Sequence, residues 1–318
     1  MNYFVYVNKL IGVETNDQQF RWSFGSCAPK TTKEEYDACK IKVCVNVRKN
    51  KDVFKDFDLS SLKGRFRYFF ANPEEHIICY SQKVKRVLNL NYIISVQDNF
   101  VNVVVGKTYY NQVRYRVMNI HSMRYILFDI VTGLLLLNGY SPLYCSSVLM
   151  NNKGATVLMA PPNMGKSLTA LRLCQSTQAS LISEDIAITD GTYIWPVPWT
   201  NSYRDYADGS AKDKQSIENV RDPVRITNTV ILERGDSSVV TDKNNSLSKM
   251  LLLNHYLLSY MKSPAMSALA YFNSEFSPEK MMDTEKAIFE NLLNGSDFYC
   301  ISDNNALTYS DQIVLLLK

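Results

Sequence analysis

The sequence predicts a mixed α+β/α/β protein, with a β-rich N-terminal domain over residues 1–118 and an α/β domain over residues 119–318. Three observations predict it. The first third of the chain is dense in Val, Ile, Tyr and Phe, broken by short polar links. Near residue 118 the hydrophobic period lengthens to that of a helix. Further on, the almost unbroken apolar segment Ala155–Met159 runs into a loop and then a helical stretch, the order of a strand buried on both faces in an α/β unit.

In the N-terminal domain the strand candidates are Tyr3–Val7, Gln19–Phe24, Lys42–Val47, Arg65–Phe70, Ile77–Tyr80, Tyr92–Val96 and Asn99–Val105. Gln97-Asp98 reads as the turn of a hairpin joining the last pair. Residues 121–137 form a long apolar helix that Asn138-Gly139 stops. Cys145–Met150 and Ala155–Met159 are strands joined by the polar turn Asn151-Asn152-Lys153-Gly154. Ser167–Cys174 is a short helix, Ala179–Ser183 and Tyr193–Val197 are strands, and the polar stretch 200–222 reads as a mobile loop. Val230–Glu233 is a strand, 246–262 and 278–293 are helices, Phe298–Ile301 is a strand and 309–318 a terminal helix. Ser277-Pro278-Glu279 supplies an N-cap and first turn for the helix at 278.

Composition narrows the function classes. Hydrophobic residues are 46% and charged residues 21% of 318, the balance of a globular protein with a real core. A net charge of +4 gives no long-range pull toward nucleic acid, and no nucleic-acid partner is expected. The seven cysteines (27, 39, 44, 79, 145, 174, 300) are scattered, odd in number and without zinc spacing, which fits a reducing cytoplasm. Residues 125–137 are too few to span a membrane and include Asp129, and the N-terminus lacks the pattern of a signal peptide, so no membrane association is expected.

The most informative segment is Ala160-Pro161-Pro162-Asn163-Met164-Gly165-Lys166-Ser167. It matches the phosphate-binding pattern that ends in Gly-Lys-Ser, except that Ala160 stands where the first Gly belongs. In such a loop, backbone N–H groups at a helix start converge on phosphate oxygens. Two prolines remove two donors and stiffen the loop. The nucleotide-binding set is Pro162, Asn163, Met164, Gly165, Lys166, Ser167 and Leu168, with Asn163 to Ser167 supplying the main N–H donors. Lys166 supplies a point charge for the outer phosphates, and the Ser167 hydroxyl a ligand for Mg²⁺. Ala160 is tolerated only if its φ is negative.

Eighteen residues after Lys166, the apolar strand at 179–183 ends in Glu184-Asp185. A βαβ unit this compact puts that strand beside the loop strand, with both acids at the loop's edge. One carboxylate then holds Mg²⁺ and the other accepts the proton of an attacking hydroxyl.

Together these segments resemble the HPr kinase/phosphorylase-like family, whose nucleotide domain is related to that of phosphoenolpyruvate carboxykinase. That family shows a hairpin L-H-A-S-A-V, a G-x-S-G-x-G-K-S loop and a strand ending in S/A-D-D. Here the same order reads Leu143-Tyr144-Cys145-Ser146-Ser147-Val148, then Ala160 to Ser167, then Ser183-Glu184-Asp185, within residues 120–235. The resemblance implies ATP (or GTP) and Mg²⁺ as cofactors, transfer of the γ-phosphate to a hydroxyl, most naturally a serine of a peptide or protein, and a catalytic set of Glu184, Asp185 and Lys166. Glu184 would be the base, with Ser167 and Asp185 contacting the metal, although the two acids could exchange roles. Tyr144 replaces the family's His and cannot carry a proton near pH 7, which argues against the reverse reaction. Glu184 is one methylene longer than the family's Asp. The layout also resembles serine kinases of peptide-tailoring clusters, including lasso-peptide pathways, in which the N-terminal domain would serve substrate recognition. Two other readings stay open: a nucleotide-binding module without catalysis, acting as a regulatory or recognition partner, and an NTPase of another loop family. A homo-oligomer is compatible with the sequence.

Several residues carry a functional alternative that is weaker than the bland one. Arg204, Arg221, Arg225 and Arg234 could meet phosphoryl charge, and Lys212 and Lys214 could close over ATP, but each reads as a surface residue. Trp195 and Trp199 read as packing a core edge, and Lys83, Lys85 and Arg86 as a solvated face rather than an acidic-peptide dock. His76, His121 and His255 have no partners at ligand spacing and read as structural.

Overall fold

The computed structural model describes residues 1–18, 30–84, 88–112, 121–150, 153–177, 179–197, 220 and 222–317. The protein is mixed α/β, and among the described residues it has two large mixed sheets and eight α-helices. The helices are α1 (Lys33–Asp37), α2 (Lys107–Gln112), α3 (Met123–Leu137), α4 (Lys166–Ser176), α5 (Ser246–Met261), α6 (Pro264–Phe272), α7 (Pro278–Gly295) and α8 (Tyr309–Leu316). Two compact units result, Met1–Asn138 with Met261–Met282 and Gly139–Tyr260 with Asp283–Lys318. No helix among the described residues is long and apolar enough to cross a membrane.

The first unit holds β1 (Asn2–Val7), β2 (Ile11–Thr15), β3 (Lys30–Thr31), β4 (Ile41–Arg48), β5 (Gly64–Phe66), β6 (Phe69–Asn72), β7 (Ile77–Val84), β8 (Leu88–Gln97) and β9 (Phe100–Gly106). They form one sheet in the order β3-β1-β2-β4-β9-β8-β7-β6-β5. Alternation decides its faces: Ile41, Val43 and Val45 of β4 are buried, as are Val101, Val103 and Val105 of β9. The expected strand Arg65–Phe70 is instead a hairpin, because Arg67 takes a left-handed φ of 55° and folds β5 back on β6. Expected strand Gln19–Phe24 lies outside the described residues. Strand β2 and helices α1, α2 and α6 come without a sequence signal strong enough to announce them; α1 is a single turn closed by a Thr32–Glu35 capping box.

Helix α3 belongs to the first unit, so the units divide at Asn138/Gly139 rather than at residue 118. The reason is a packing contact that periodicity does not reveal. Gly133 lets α6 approach so closely that a Cβ there would lie 2.7 Å from Met266 Cε and 3.1 Å from Phe276 Cδ1. Asp129, on the same helix, ties the start of α6: its Oδ2 accepts from Ser263 N at 2.6 Å and Ser263 Oγ at 2.9 Å. Burial pushes the Asp129 carboxyl up to about 7, against the pull of the Ser263 bonds and of Lys262.

The second unit holds β10 (Ser141–Leu143), β11 (Ser146–Met150), β12 (Gly154–Met159), β13 (Ser180–Ser183), β14 (Ala187–Thr189), β15 (Tyr193–Trp195), β16 (Val224–Glu233), β17 (Ser238–Val240) and β18 (Asp297–Ser302). Its order is β10-β14-β15-β16-β12-β11-β13, with β18 on β16 and β17 on β18. Strands β12, β16 and β18 are parallel, with Met159 beside Ile231 and Ile231 beside Cys300, so they end at one edge. All of β12 is buried, as its unbroken apolar run predicts. One face packs Val157 and Met159 with Phe289 and Leu292; the other packs Leu158 with Ala170, Leu173, Tyr309 and Ile313.

A carboxyl with a raised folded pKa favours the protonated folded state, so Asp129 contributes a loss of stability as pH rises from about 4 to 7. Urea unfolding of the protein and of Asp129→Asn across this range should show the variant gaining on the parent as pH rises, with the difference levelling above about pH 7. Parallel curves at all pH values would refute the assignment.

Candidate phosphate-binding and acidic site

The chain leaves β12 at Met159 and enters α4 at Lys166. Asn163 (φ 63°) and Gly165 (φ 88°) turn it through left-handed conformations, which Asn and Gly tolerate best. Gly165 is the N-cap, and its carbonyl accepts the bond from Thr169 N at 2.8 Å. Ala160 lies outside the left-handed region and is fully buried, so the methyl that replaces a glycine is accommodated in the core. Pro161, Pro162, Asn163 and Leu168 are exposed, Met164 and Ser167 half-buried. The turn before α8 walls the loop: Arg172 donates to the Leu307 carbonyl at 2.8 Å, and Ala306 lies against Gly165.

Lys166 is buried, and its Nζ donates to Asp185 Oδ1 at 2.8 Å. The same Nζ sits 4.1 Å from the centroid of the Tyr144 ring, at cation–π distance. Burial works against the ammonium charge, but Asp185 and Tyr144 outweigh it and hold the pKa above its ordinary value. The two residues singled out from opposite ends of a helix-containing segment thus meet.

The acidic pair is built on a tight turn. Ile186 N donates to the Glu184 carbonyl across Asp185, whose φ is 43°. Asp is one of the few non-glycine residues that visit this region as single positions. The Asp185 carbonyl in turn accepts from Cys145 N at 3.2 Å. The turn sends the two carboxylates to different environments. Asp185 is 39% exposed at its side chain and pairs with Lys166. Glu184 is 5% exposed, and its Oε2 is a buried oxygen without a hydrogen-bond partner. Burial, then the charge of Asp185, push the Glu184 carboxyl up to about 8, with Lys166 opposing.

The strand order here departs from a simple βαβ unit. Strand β13 does not lie beside β12; β11 stands between them, antiparallel to both. The hairpin that leads into the loop claims the neighbouring place, and Ser147 Oγ and Ser183 Oγ, 2.7 Å apart, fasten β13 to its far side. Two antiparallel steps restore the direction of β12, so β13 still ends at the loop edge. On the near side Ser146 Oγ meets Ser167 Oγ at 3.1 Å.

Asn254 of α5 was not a sequence candidate. It is fully buried, with Oδ1 accepting from Tyr144 N at 2.8 Å and Nδ2 donating to the Pro142 carbonyl at 3.1 Å and Glu285 Oε1 at 2.7 Å. Glu285 Oε2 meets His255 Nε2 at 2.7 Å, so His255 does have an acidic partner, on α7. A lone Asn inside the apolar run Leu251-Leu252-Leu253-Asn254 was the available signal for this network.

Among the described residues no group of three or more His, Cys, Asp or Glu could hold a metal by itself. The side chains that could serve a cation sharing its coordination with phosphate oxygens are the half-buried hydroxyl of Ser167 and the half-exposed carboxylate of Asp185. Arg225 begins β16 beside the start of β12, at the edge away from the loop, while Arg234 follows the end of β16 at the loop edge; both are exposed. Trp195 packs edge-on against Tyr140, and Lys83 is exposed. Arg204, Arg221, Lys212, Lys214, Trp199, Lys85, Arg86, Asn151 and Asn152 lie outside the described residues.

Gly165 tests the loop geometry. An added Cβ would meet a strained φ of 88° and lie 2.9 Å from Ala306 Cβ. Gly165→Ala should lower stability by about 1–3 kcal/mol in denaturant melts. Pairing it with Ala306→Gly should restore only the steric part. An unchanged melt for Gly165→Ala would show that the loop is built otherwise.

No model of a known protein family matches the chain, and no curated protein matches it. The functional reading therefore rests on this site's own chemistry.

Proposed function

We propose that the protein is an HPr-kinase-like phosphotransferase, an ATP- and Mg²⁺-dependent kinase that phosphorylates a hydroxyl, a serine of a peptide or protein being the favoured acceptor. The observation that carries the reading is the meeting of Lys166 with Asp185 at 2.8 Å, directly after a loop of phosphate-binding pattern. An anion already stands where Lys166 would meet the outer phosphates. Loop N–H groups and Lys166 would hold those phosphates. Ser167 and Asp185 would hold Mg²⁺, which when bound neutralises phosphate charge.

The transfer balances with the residues present. The acceptor oxygen bonds to the γ-phosphorus as the bond to the bridging β–γ oxygen breaks, and ADP leaves. The proton of the acceptor hydroxyl passes to Glu184. A carboxyl held up to about 8 is well matched to taking a proton at neutral pH, provided it is ionised first. Tyr144 lies under Lys166, at the position where the resembling family has His.

The second reading, a nucleotide-binding module without turnover, draws on the same Tyr144. Its signature is ATP binding without transfer to any serine-peptide library.

Radiolabel transfer from γ-labelled ATP to such a library separates the readings. Lys166→Ala, Asp185→Asn and Glu184→Gln should each cut transfer by about 10²–10⁴-fold. Full transfer in any one of them would remove that residue from the mechanism. In the parent, kcat/KM should rise about tenfold per pH unit up to about pH 8 and then level, since the base works only when ionised. A flat profile from pH 6 to 8 would contradict the role given to Glu184.

A further inference from the structure

Ser146 lies outside the loop and the acidic pair, yet its Oγ is 3.1 Å from Ser167 Oγ. We propose that Ser146 is a positioning residue that aims the Ser167 hydroxyl at a divalent cation. This rests on the functional reading above.

A hydroxyl that serves as a ligand has two tasks. It gives a lone pair to the cation and keeps its proton, and the cation makes that proton a better donor. In a partly buried site the proton needs an acceptor, or the hydroxyl turns to find one and withdraws its lone pair. Asp185 Oδ1 meets Lys166 Nζ at 2.8 Å, and in the proposed complex the Asp185 carboxylate faces the cation. Ser146 Oγ is the side-chain oxygen within reach. It is well chosen because it cannot move: Ser146 is fully buried, opposite Leu158 in the β11–β12 ladder. Its neighbour Ser147 is fastened on the other side to Ser183. The acceptor is therefore held by the same hairpin that delivers the loop.

A merely structural role, pinning α4 to the hairpin, makes a different prediction. Loss of a pin lowers stability and weakens nucleotide binding whether or not metal is present. Loss of an aiming contact removes only the part of binding that metal adds.

The test is a titration of the full chain with a fluorescent ADP analogue, in saturating Mg²⁺ and in EDTA, with thermal melts beside it. For the parent, Mg²⁺ should tighten binding. In Ser146→Ala that gain should fall about tenfold, while affinity in EDTA stays within about twofold. Ser146→Ala combined with Ser167→Ala should lose no more of the gain than Ser167→Ala alone, because both variants break one chain of bonds. Retention of the full Mg²⁺ gain by Ser146→Ala, or an equal fall in both conditions, overturns the proposal. If the parent binds ADP with no Mg²⁺ gain, this inference fails while nucleotide binding stands. If the parent binds no ADP at all, the kinase reading fails with it.

Discussion

The site depends on where a buried ammonium finds its counter-charge. Lys166 lies at the first turn of α4 with almost no solvent, and burying an unpaired charge there would be prohibitive. Its partner, Asp185, comes from beyond the next strand. For the two to meet, β13 must end at the edge where β12 ends. The sheet meets that demand through two antiparallel pairings, β12 to β11 and β11 to β13. The hairpin is thus more than a lead-in to the loop. It sets the direction of β13, presents Ser146 to Ser167 and carries the backbone of Cys145 that holds the Asp185 carbonyl.

What was legible in the sequence is what local chemistry decides. The unbroken apolar run of β12, the Gly-Lys-Ser loop and the helix after it depend on neighbours within a few residues. So does the acidic pair, whose strand ends at Ser183 as its apolar run does. Partnership between strands is not local. The βαβ reading placed β13 beside β12 because compact crossovers usually do so, and nothing in the sequence announced that a preceding hairpin strand had taken that place. Helix α3 shows the same limit: its apolar face is obvious, but the surface that covers it is decided by Gly133, Met266 and Phe276, far apart in the chain. Short elements such as α1, β14 and β17 have too few residues for a period to show.

Tyr144 links the site to a second polar network. Its ring faces Lys166 while its backbone N–H is held by Asn254, which also grips Pro142 and Glu285. Buried amides and carboxylates of this kind are stable only when every group is satisfied, and a satisfied network rigidifies what it touches. Two helices meet at the end of β10, α5 directly through Asn254 and α7 through the Glu285 carboxylate that Asn254 grips. The backbone that carries the ring under Lys166 is therefore held in place.

The separation of Glu184 from Asp185 follows from one residue's backbone. In an extended strand, adjacent side chains point to opposite faces, and both carboxylates would reach solvent just past the strand end. The left-handed φ of Asp185 bends the chain instead, leaving Glu184 inside and Asp185 outside on Lys166. Asp185 faces the Lys166 ammonium, while burial and the charge beside it hold the Glu184 carboxyl up. The turned backbone at Asp185 is held by Lys166 on one side and Cys145 on the other.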